Sequence, residues 1–162
     1  MLALRFAGLL ALAVWFGGLL ALGAIAAPAI FDVVSLRQVS DGRVLSGAIF
    51  GEILRRFHLV AYGCAVVVIG GLIARAVLGP RPRRFAARVA IAGIMLAATL
   101  YSGLIVSSRI EQLRADIGGA PSNLDATDPR RIAFGQLHGQ STALQLVTMV
   151  GGLILLVFEA RE

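Results

Sequence analysis

The sequence contains no lysine and only one cysteine, Cys64. A single cysteine excludes an intramolecular disulfide and every metal site built from several cysteines. All 15 basic residues are arginines, and the formal net charge is +6. A basic chain can indicate nucleic-acid binding, but arginine-rich loops beside membrane spans explain the charge more simply. We therefore expect no nucleic-acid partner.

Extended polar stretches are also scarce in this chain of 162 residues. Hydrophobic residues make up 58% of the chain and the mean hydropathy is +0.86, whereas soluble domains are roughly 45–50% apolar. A soluble domain of this size has too little interior to hide that much apolar surface. The composition predicts an integral membrane protein with the lipid bilayer as its surroundings, and the length predicts one domain, residues 1–162.

Four segments are apolar over the roughly 20 residues that a helix needs to cross a bilayer. They predict an all-α fold, a bundle of four transmembrane helices with spans at approximately 5–30, 53–78, 86–108 and 130–158. The first span begins like a signal peptide, with Arg5 ahead of apolar residues. Its apolar run from Phe6 to Ala27 exceeds the roughly 7–15 residues of a signal core, so we expect this helix to be retained.

The arginines are distributed unevenly between the connections. The short linker 79–84 carries three arginines and no acid, and short arginine-rich loops stay in the cytoplasm. The other two connections are longer and carry both charges. We expect cytoplasmic N- and C-termini. The exclusive use of arginine is typical of a GC-rich bacterial genome, which predicts a multi-pass protein of the bacterial cytoplasmic (inner) membrane.

The longer connections carry helical patterns of their own. Residues 35–54 have the spacing of an amphipathic helix that leads into span two, with a break near Asp41. Span three should continue as far as Ile117 and end at Gly118. Asp128 and Pro129 are typical of an N-cap and a first helical residue. The sequence therefore predicts amphipathic helical extensions on the outer side.

Span four has one polar face. His138, Ser141, Gln145 and Thr148 follow one another at intervals of three and four residues, which places them on one side of a helix. Polar groups inside a bilayer face the bundle interior or a water-filled cavity. Hydrogen bonding between helices is one interpretation of this face. The other is the lining of a site for a ligand, a proton or a metal.

The two histidines are the candidate cofactor ligands. His58 begins span two and His138 begins span four, both from the outer side, so their imidazoles should lie at similar depth. Two imidazoles at one level could bind a haem iron axially or share a transition metal. A hydrogen-bonding role inside the bundle is the alternative. Because no third ligand with suitable spacing is evident, we expect no cofactor.

Small residues mark the predicted helix contacts, because helices in lipid gain little from apolar burial and pack where side chains are short. These positions are Gly17, Gly18, Pro28, Gly47 and Gly51. No nucleophile–base pair, phosphate loop or carboxylate pair can be assembled from the sequence. No catalytic residue is predicted, and the protein is expected not to be an enzyme.

Four motifs carry a family resemblance: Trp15-Phe16-Gly17-Gly18, residues 27–31 (APAIF), residues 47–51 (GAIFG) and residues 137–141 (LHGQS). They resemble the transmembrane-protein-205-like family (domain of unknown function 4149). The resemblance implies a small four-helix membrane protein and brings no established activity. A more distant similarity, to copper-resistance D proteins and HemJ-type protoporphyrinogen oxidases, implies a metal- or haem-binding histidine about two turns before the tryptophan. Gly8 lies in that region here, and the first span contains no histidine.

These patterns leave three functions open. The first is an accessory, scaffold or assembly subunit that acts through helix contacts in a homo-oligomer or a larger membrane complex. The second is a haem- or metal-binding protein, for redox or metal handling, that uses His58 and His138. The third is a pathway for a small solute or ion along the polar face of span four.

Overall fold

Four long helices make up most of the computed structural model, which describes residues 2–39 and 41–161. They are α1 (Leu2–Leu36), α2 (Gly42–Leu78), α3 (Phe85–Ile117) and α4 (Pro129–Ala160). Each helix is long and apolar enough to cross a membrane, and the described ranges contain no strand. The predicted all-α fold with four membrane-spanning helices is confirmed.

Local sequence signals set the helix ends. α3 ends where Gly118 adopts a left-handed conformation, φ 67°, and its amide donates to the carbonyl of Arg114, as a glycine C-cap does. α4 begins behind Asp128, whose carboxylate accepts a hydrogen bond from the amide of Arg130. α2 already begins at Gly42, ahead of the predicted span, because the amphipathic extension continues into it as one unbroken helix.

One π-helical segment interrupts each of two helices, Leu22–Ala26 in α1 and Tyr101–Val106 in α3. A π turn widens the hydrogen-bond ladder of an α-helix locally, and such turns are frequent at functional sites. Pro28 lies two residues after the segment in α1, and its ring nitrogen cannot donate to the ladder. No pattern in the sequence predicts the segment in α3.

The helices form a ring in which each contacts the next along the chain and α1 also contacts α4. Residues near the chain termini and the linker 79–84 lie at one end of the bundle, called here the terminal end. Residues 37–39 and 118–128 lie at the opposite end, called the loop end. The apolar core occupies the terminal half and is centred on side chains with no exposed surface: Trp15, Ala61, Ala65, Ala92 and Met95.

The outer surface of the bundle is apolar along its length. Val66 is 70% exposed, Ile94 58% and Val150 57%. Contiguous apolar surface of this extent leads to association in water, whereas in a bilayer it is the surface that meets the acyl chains. The fold is therefore that of a multi-pass membrane protein.

An ion cluster joins the four helices at the terminal end. The carboxylate of Glu159 in α4 accepts hydrogen bonds from Arg5 of α1 at 3.2 Å, Arg75 of α2 at 2.8 Å and Arg88 of α3. The side chain of Arg88 is 2% exposed and that of Glu159 is 10% exposed. A single carboxylate therefore links arginines from three other helices.

The bundle is divided at the loop end. Beyond the π-helical segments, Ala27–Leu36 of α1 packs chiefly against α2, and Ser107–Ile117 of α3 packs chiefly against α4. The four helices thus continue as two pairs, α1 with α2 and α3 with α4. The space between the pairs contains the candidate site.

Gly18→Ala is expected to destabilise the contact between α1 and α2. A Cβ atom at this position would lie 2.2 Å from Cε2 of Phe57, and overpacking of this kind costs about 1–3 kcal/mol. The measurement is equilibrium unfolding in mixed detergent and dodecyl sulfate micelles, followed by circular dichroism. Gly17→Ala is the control, because no described atom of another helix lies within 4 Å of its Cβ position. Equal midpoints for the two variants would contradict the assignment.

Candidate ligand-binding cavity

A cavity of about 800 Å³ lies between the two helix pairs at the loop end. Pockets for small molecules typically measure roughly 300–1,000 Å³ and are mostly apolar with a few polar groups. All four helices and the loop 118–128 contribute to its wall. The larger apolar lining residues are Phe31, Phe50, Leu54, Ile110 and Phe134.

Polar and small residues from the sequence analysis meet in this wall. Pro28 of α1 and Gly47 and Gly51 of α2 lie across the cavity from His138, Ser141 and Gln145 of α4, and all six line it. The charged lining residues are Arg43, Glu111, Arg114 and Arg131. The cavity therefore combines an aromatic wall with several ionic groups.

Arg114 of α3 spans the gap between the helix pairs. Its Nη1 donates to the carbonyl oxygen of Gly47 in α2 at 2.7 Å, and its guanidinium lies 5.6 Å from the ring centroid of Phe134 in α4. A Cβ atom at position 47 would lie 2.7 Å from Nη2 of Arg114, so glycine permits this approach. Among the described residues of the loop half, this is the only side-chain hydrogen bond between the two pairs.

Sequence reasoning did not single out Arg114. The available signal was its helical spacing, since Ser107, Ile110, Glu111 and Arg114 recur at intervals of a helical face and all line the cavity. That face mixes charged and apolar side chains, so its periodicity is weaker than that of α4. An arginine on the helical extension of an apolar span is the sequence feature that could have identified it.

His138 lies in the cavity wall, where its ring stacks on Phe134 with centroids 6.5 Å apart and an interplanar angle of 5°. Ser141 lies one turn further into the bundle and is buried. Thr148 is 2% exposed, outside the cavity, and its hydroxyl donates to the carbonyl of Leu144 at 3.0 Å. The polar face of α4 thus begins in the cavity and continues into the packed core.

His58 has different surroundings. It is 5% exposed, its ring lies 6.2 Å from that of Tyr62, and its Cγ would be 3.0 Å from a Cβ atom on Gly103 in the π-helical segment of α3. His58 is not among the residues that line the cavity. The described residues hold no group of three histidine, cysteine or acidic side chains that could bind a metal ion. Haem or metal binding by His58 and His138 stays a prediction.

The two acidic residues of the adjoining loop already have partners. Asp125 accepts hydrogen bonds from the hydroxyl and amide of Thr127, and these bonds lower the pKa of its carboxyl. Asp128 accepts from the side chain and amide of Arg130, which likewise lower its pKa. Both carboxylates therefore stay ionised near neutral pH. Asp125 bonds within the loop and Asp128 bonds to the start of α4, where the backbone of Arg131 contributes to lowering its pKa.

The comparison with protein families gives one match. A family described as a domain of unknown function (DUF4149) matches residues 10–118. The chain belongs to the DUF4149 family. The matched part of this DUF4149 protein includes Gly47 and Arg114 and ends before α4, so His138 lies beyond it. No curated protein and no solved structure matches the chain.

Proposed function

We propose that this DUF4149 protein binds a lipid-like amphipathic molecule in the cavity at the loop end. The observation that carries the proposal is a cavity of about 800 Å³ whose wall is aromatic and aliphatic but also presents Arg114, His138 and Gln145. Such a wall matches a ligand that has an apolar chain and a polar head.

The position of the cavity supports a ligand drawn from the bilayer. Gly23 and Pro28 line the cavity and are exposed residues of α1, a helix that also has apolar surface for lipid, such as Ile25, which is 67% exposed. The charged lining residues lie near the ends of their helices, whereas Leu54 and Gln145 lie deeper. A ligand with its polar head at the loop end of the cavity and its apolar chain directed toward the middle of the bundle fits this arrangement.

The polar face of α4 could instead belong to a solute or ion pathway. Below the cavity, however, Thr148 is 2% exposed, and the next small residues on this face lie against packed side chains. A Cβ atom on Gly151 would be 2.7 Å from Cγ of Met95, and one on Gly152 would be 3.2 Å from Cβ of Phe16. This arrangement favours a closed binding site over a passage through the bundle.

Gly135→Trp is expected to remove the bound molecule. Gly135 lines the cavity and has no neighbour within 4 Å of its Cβ position, so a side chain can start there without a clash and an indole would take up cavity volume. We expect mild-detergent preparations of the wild-type protein to retain one lipid-like molecule per chain in native mass spectrometry. Retention should fall at least about fivefold in the variant, the loss of roughly 1 kcal/mol of binding energy.

Gly139→Trp is the matched control. Gly139 lies one turn further along α4, has equal space around its Cβ position, and does not line the cavity. The Gly139→Trp variant should retain the molecule as the wild-type protein does. Absence of any retained molecule from the wild type, or equal retention by both tryptophan variants, would overturn the proposal.

The orientation in the membrane belongs to the same proposal. The linker at the terminal end carries Arg81, Arg83 and Arg84, and short arginine-rich loops remain in the cytoplasm. This supports cytoplasmic termini in a bacterial inner membrane, an orientation in which the cavity would lie in the outer leaflet. An accessory or scaffold role, in a homo-oligomer or a larger complex, stays a prediction that copurification tests. The absorption spectrum and metal content of the same preparation test the histidine-cofactor hypothesis.

A further inference from the structure

We infer that the bound molecule is a phospholipid whose head has a net negative charge, and that Arg114 is the principal contact of its phosphate. The inference rests on the proposed cavity function and specifies the class of ligand. It follows from the charge of the wall, from the hydrogen bonding of Arg114, and from the depth at which this residue lies.

The cavity wall is electropositive. It contains three arginines, Arg43, Arg114 and Arg131, and one acid, Glu111, which gives three positive charges and one negative charge, or a net +2. None of these arginines forms a salt bridge within the described ranges. A concave site of one sign with low-dielectric walls attracts a ligand of the opposite charge.

Arg114 has hydrogen-bonding capacity left to offer. Its Nη1 donates to a neutral carbonyl, that of Gly47, while Nη2 and Nε make no hydrogen bond to a described residue. A guanidinium presents its donors in a planar fork that matches two phosphate oxygens. Hydrogen bonds to a charged acceptor are roughly twice as strong as those to a neutral one. A phosphate is therefore a better partner for Arg114 than the carbonyl alone.

The depth of Arg114 matches a lipid head. It lies one turn before the end of α3 at Ile117, where a membrane-spanning helix reaches the headgroup region. Arginine in this position directs its charge toward the interface. The apolar lining continues inward from there to Leu54 and Gly23, which leaves the deeper part of the cavity for an acyl chain.

The experiment compares two lipids with identical acyl chains, phosphatidylglycerol and phosphatidylcholine, added in equal amounts to delipidated protein. Native mass spectrometry reports how much of each is bound. We expect wild-type protein to prefer phosphatidylglycerol by about tenfold. Both lipids carry the same phosphodiester, but only phosphatidylcholine carries a quaternary ammonium that cancels its charge, so the electropositive wall favours the lipid with a net negative charge. In Arg114→Gln the preference should fall to within about twofold. Arg109→Gln, an exposed arginine of the same helix outside the cavity wall, should behave as the wild type.

The possible outcomes distinguish failure of the anionic-lipid inference from failure of the proposed cavity function. Equal binding of both lipids by wild-type protein, removed by Gly135→Trp, would overturn the anionic head and leave the cavity function standing. Loss of preference in Arg109→Gln as well would also overturn the role of Arg114. Displacement of phosphatidylglycerol by millimolar inorganic phosphate would show that free phosphate, and not a lipid, is the ligand. If Arg114→Gln does not fold, Arg114→Lys, which keeps the charge without the fork, should show an intermediate preference.

Discussion

Glu159→Gln is expected to lower the free energy of unfolding by about 3–5 kcal/mol, the cost of removing one partner from a buried ion pair. Glutamine keeps the shape of the side chain and removes its charge. Arg88 is 2% exposed, so its guanidinium cannot recover hydration without local opening. Arg5 and Arg75 would lose the same negative charge. Equilibrium unfolding in mixed micelles, followed by circular dichroism, measures the loss.

Glu52→Gln is the matched control for the charge. Glu52 also binds two arginines, Arg55 and Arg56, with a closest distance of 2.7 Å to each. Its side chain is 44% exposed and both partners lie on the same helix, so water replaces the lost contacts and no other helix is released. The control should unfold close to the wild type. Equal losses in the two variants would contradict the view that burial, and not the number of ion pairs, makes Glu159 important.

The four helices could be predicted from the sequence because the signal is local. A run of about 20 apolar residues has few alternatives to a membrane span. Gly118 can end a helix because it has no side chain, and Asp128 can begin one because its carboxylate accepts a backbone hydrogen bond. The extensions could be predicted from periodicity for the same reason. Orientation relative to the two sides of the membrane depends on charge outside the bundle, so it remains a prediction.

The ion cluster at the terminal end could not be predicted from local sequence patterns. Arg88 and Glu159 are 71 residues apart, and each alone is typical of a charged residue beside a membrane boundary. Periodicity tells which residues share a face of one helix but does not tell which face of another helix they meet. The contact could not be assigned before the ring of helices was known.

The cavity has the same origin in tertiary structure. The spacing of His138, Ser141 and Gln145 predicts a shared polar face, and all three line the cavity. Thr148 has the same helical spacing but lies buried beyond the cavity. Spacing predicts which side of the helix a residue is on and does not predict how far the cavity extends along that side. The cavity lies where the helices separate into pairs beyond the π-helical segments, and no local motif predicts the segment in α3.

Trp15→Ala is expected to lower the free energy of unfolding by about 2–3 kcal/mol. Trp15 has no exposed surface and belongs to the buried cluster with Ala61, Ala65 and Met95. Tryptophan truncation in soluble cores costs roughly 3–5 kcal/mol, but part of that cost is transfer to water. In a bilayer the side chain of a separated helix remains in lipid, so lost packing accounts for the effect. The same unfolding assay measures it.

Trp15→Phe separates packing from hydrogen bonding. The indole Nε1 of Trp15 is buried without a hydrogen-bond partner among the described residues, and a buried donor in that state is costly. Phenylalanine removes the buried donor, which is a gain, but has a smaller aromatic ring, which is a loss of packing. Because the gain offsets part of the loss, the free energy of unfolding of the variant should fall by less than about 1 kcal/mol. If Trp15→Phe is instead as unstable as Trp15→Ala, the indole N–H has a partner in the membrane-embedded protein. Trp15 would then hold the core by a polar contact and not by its volume.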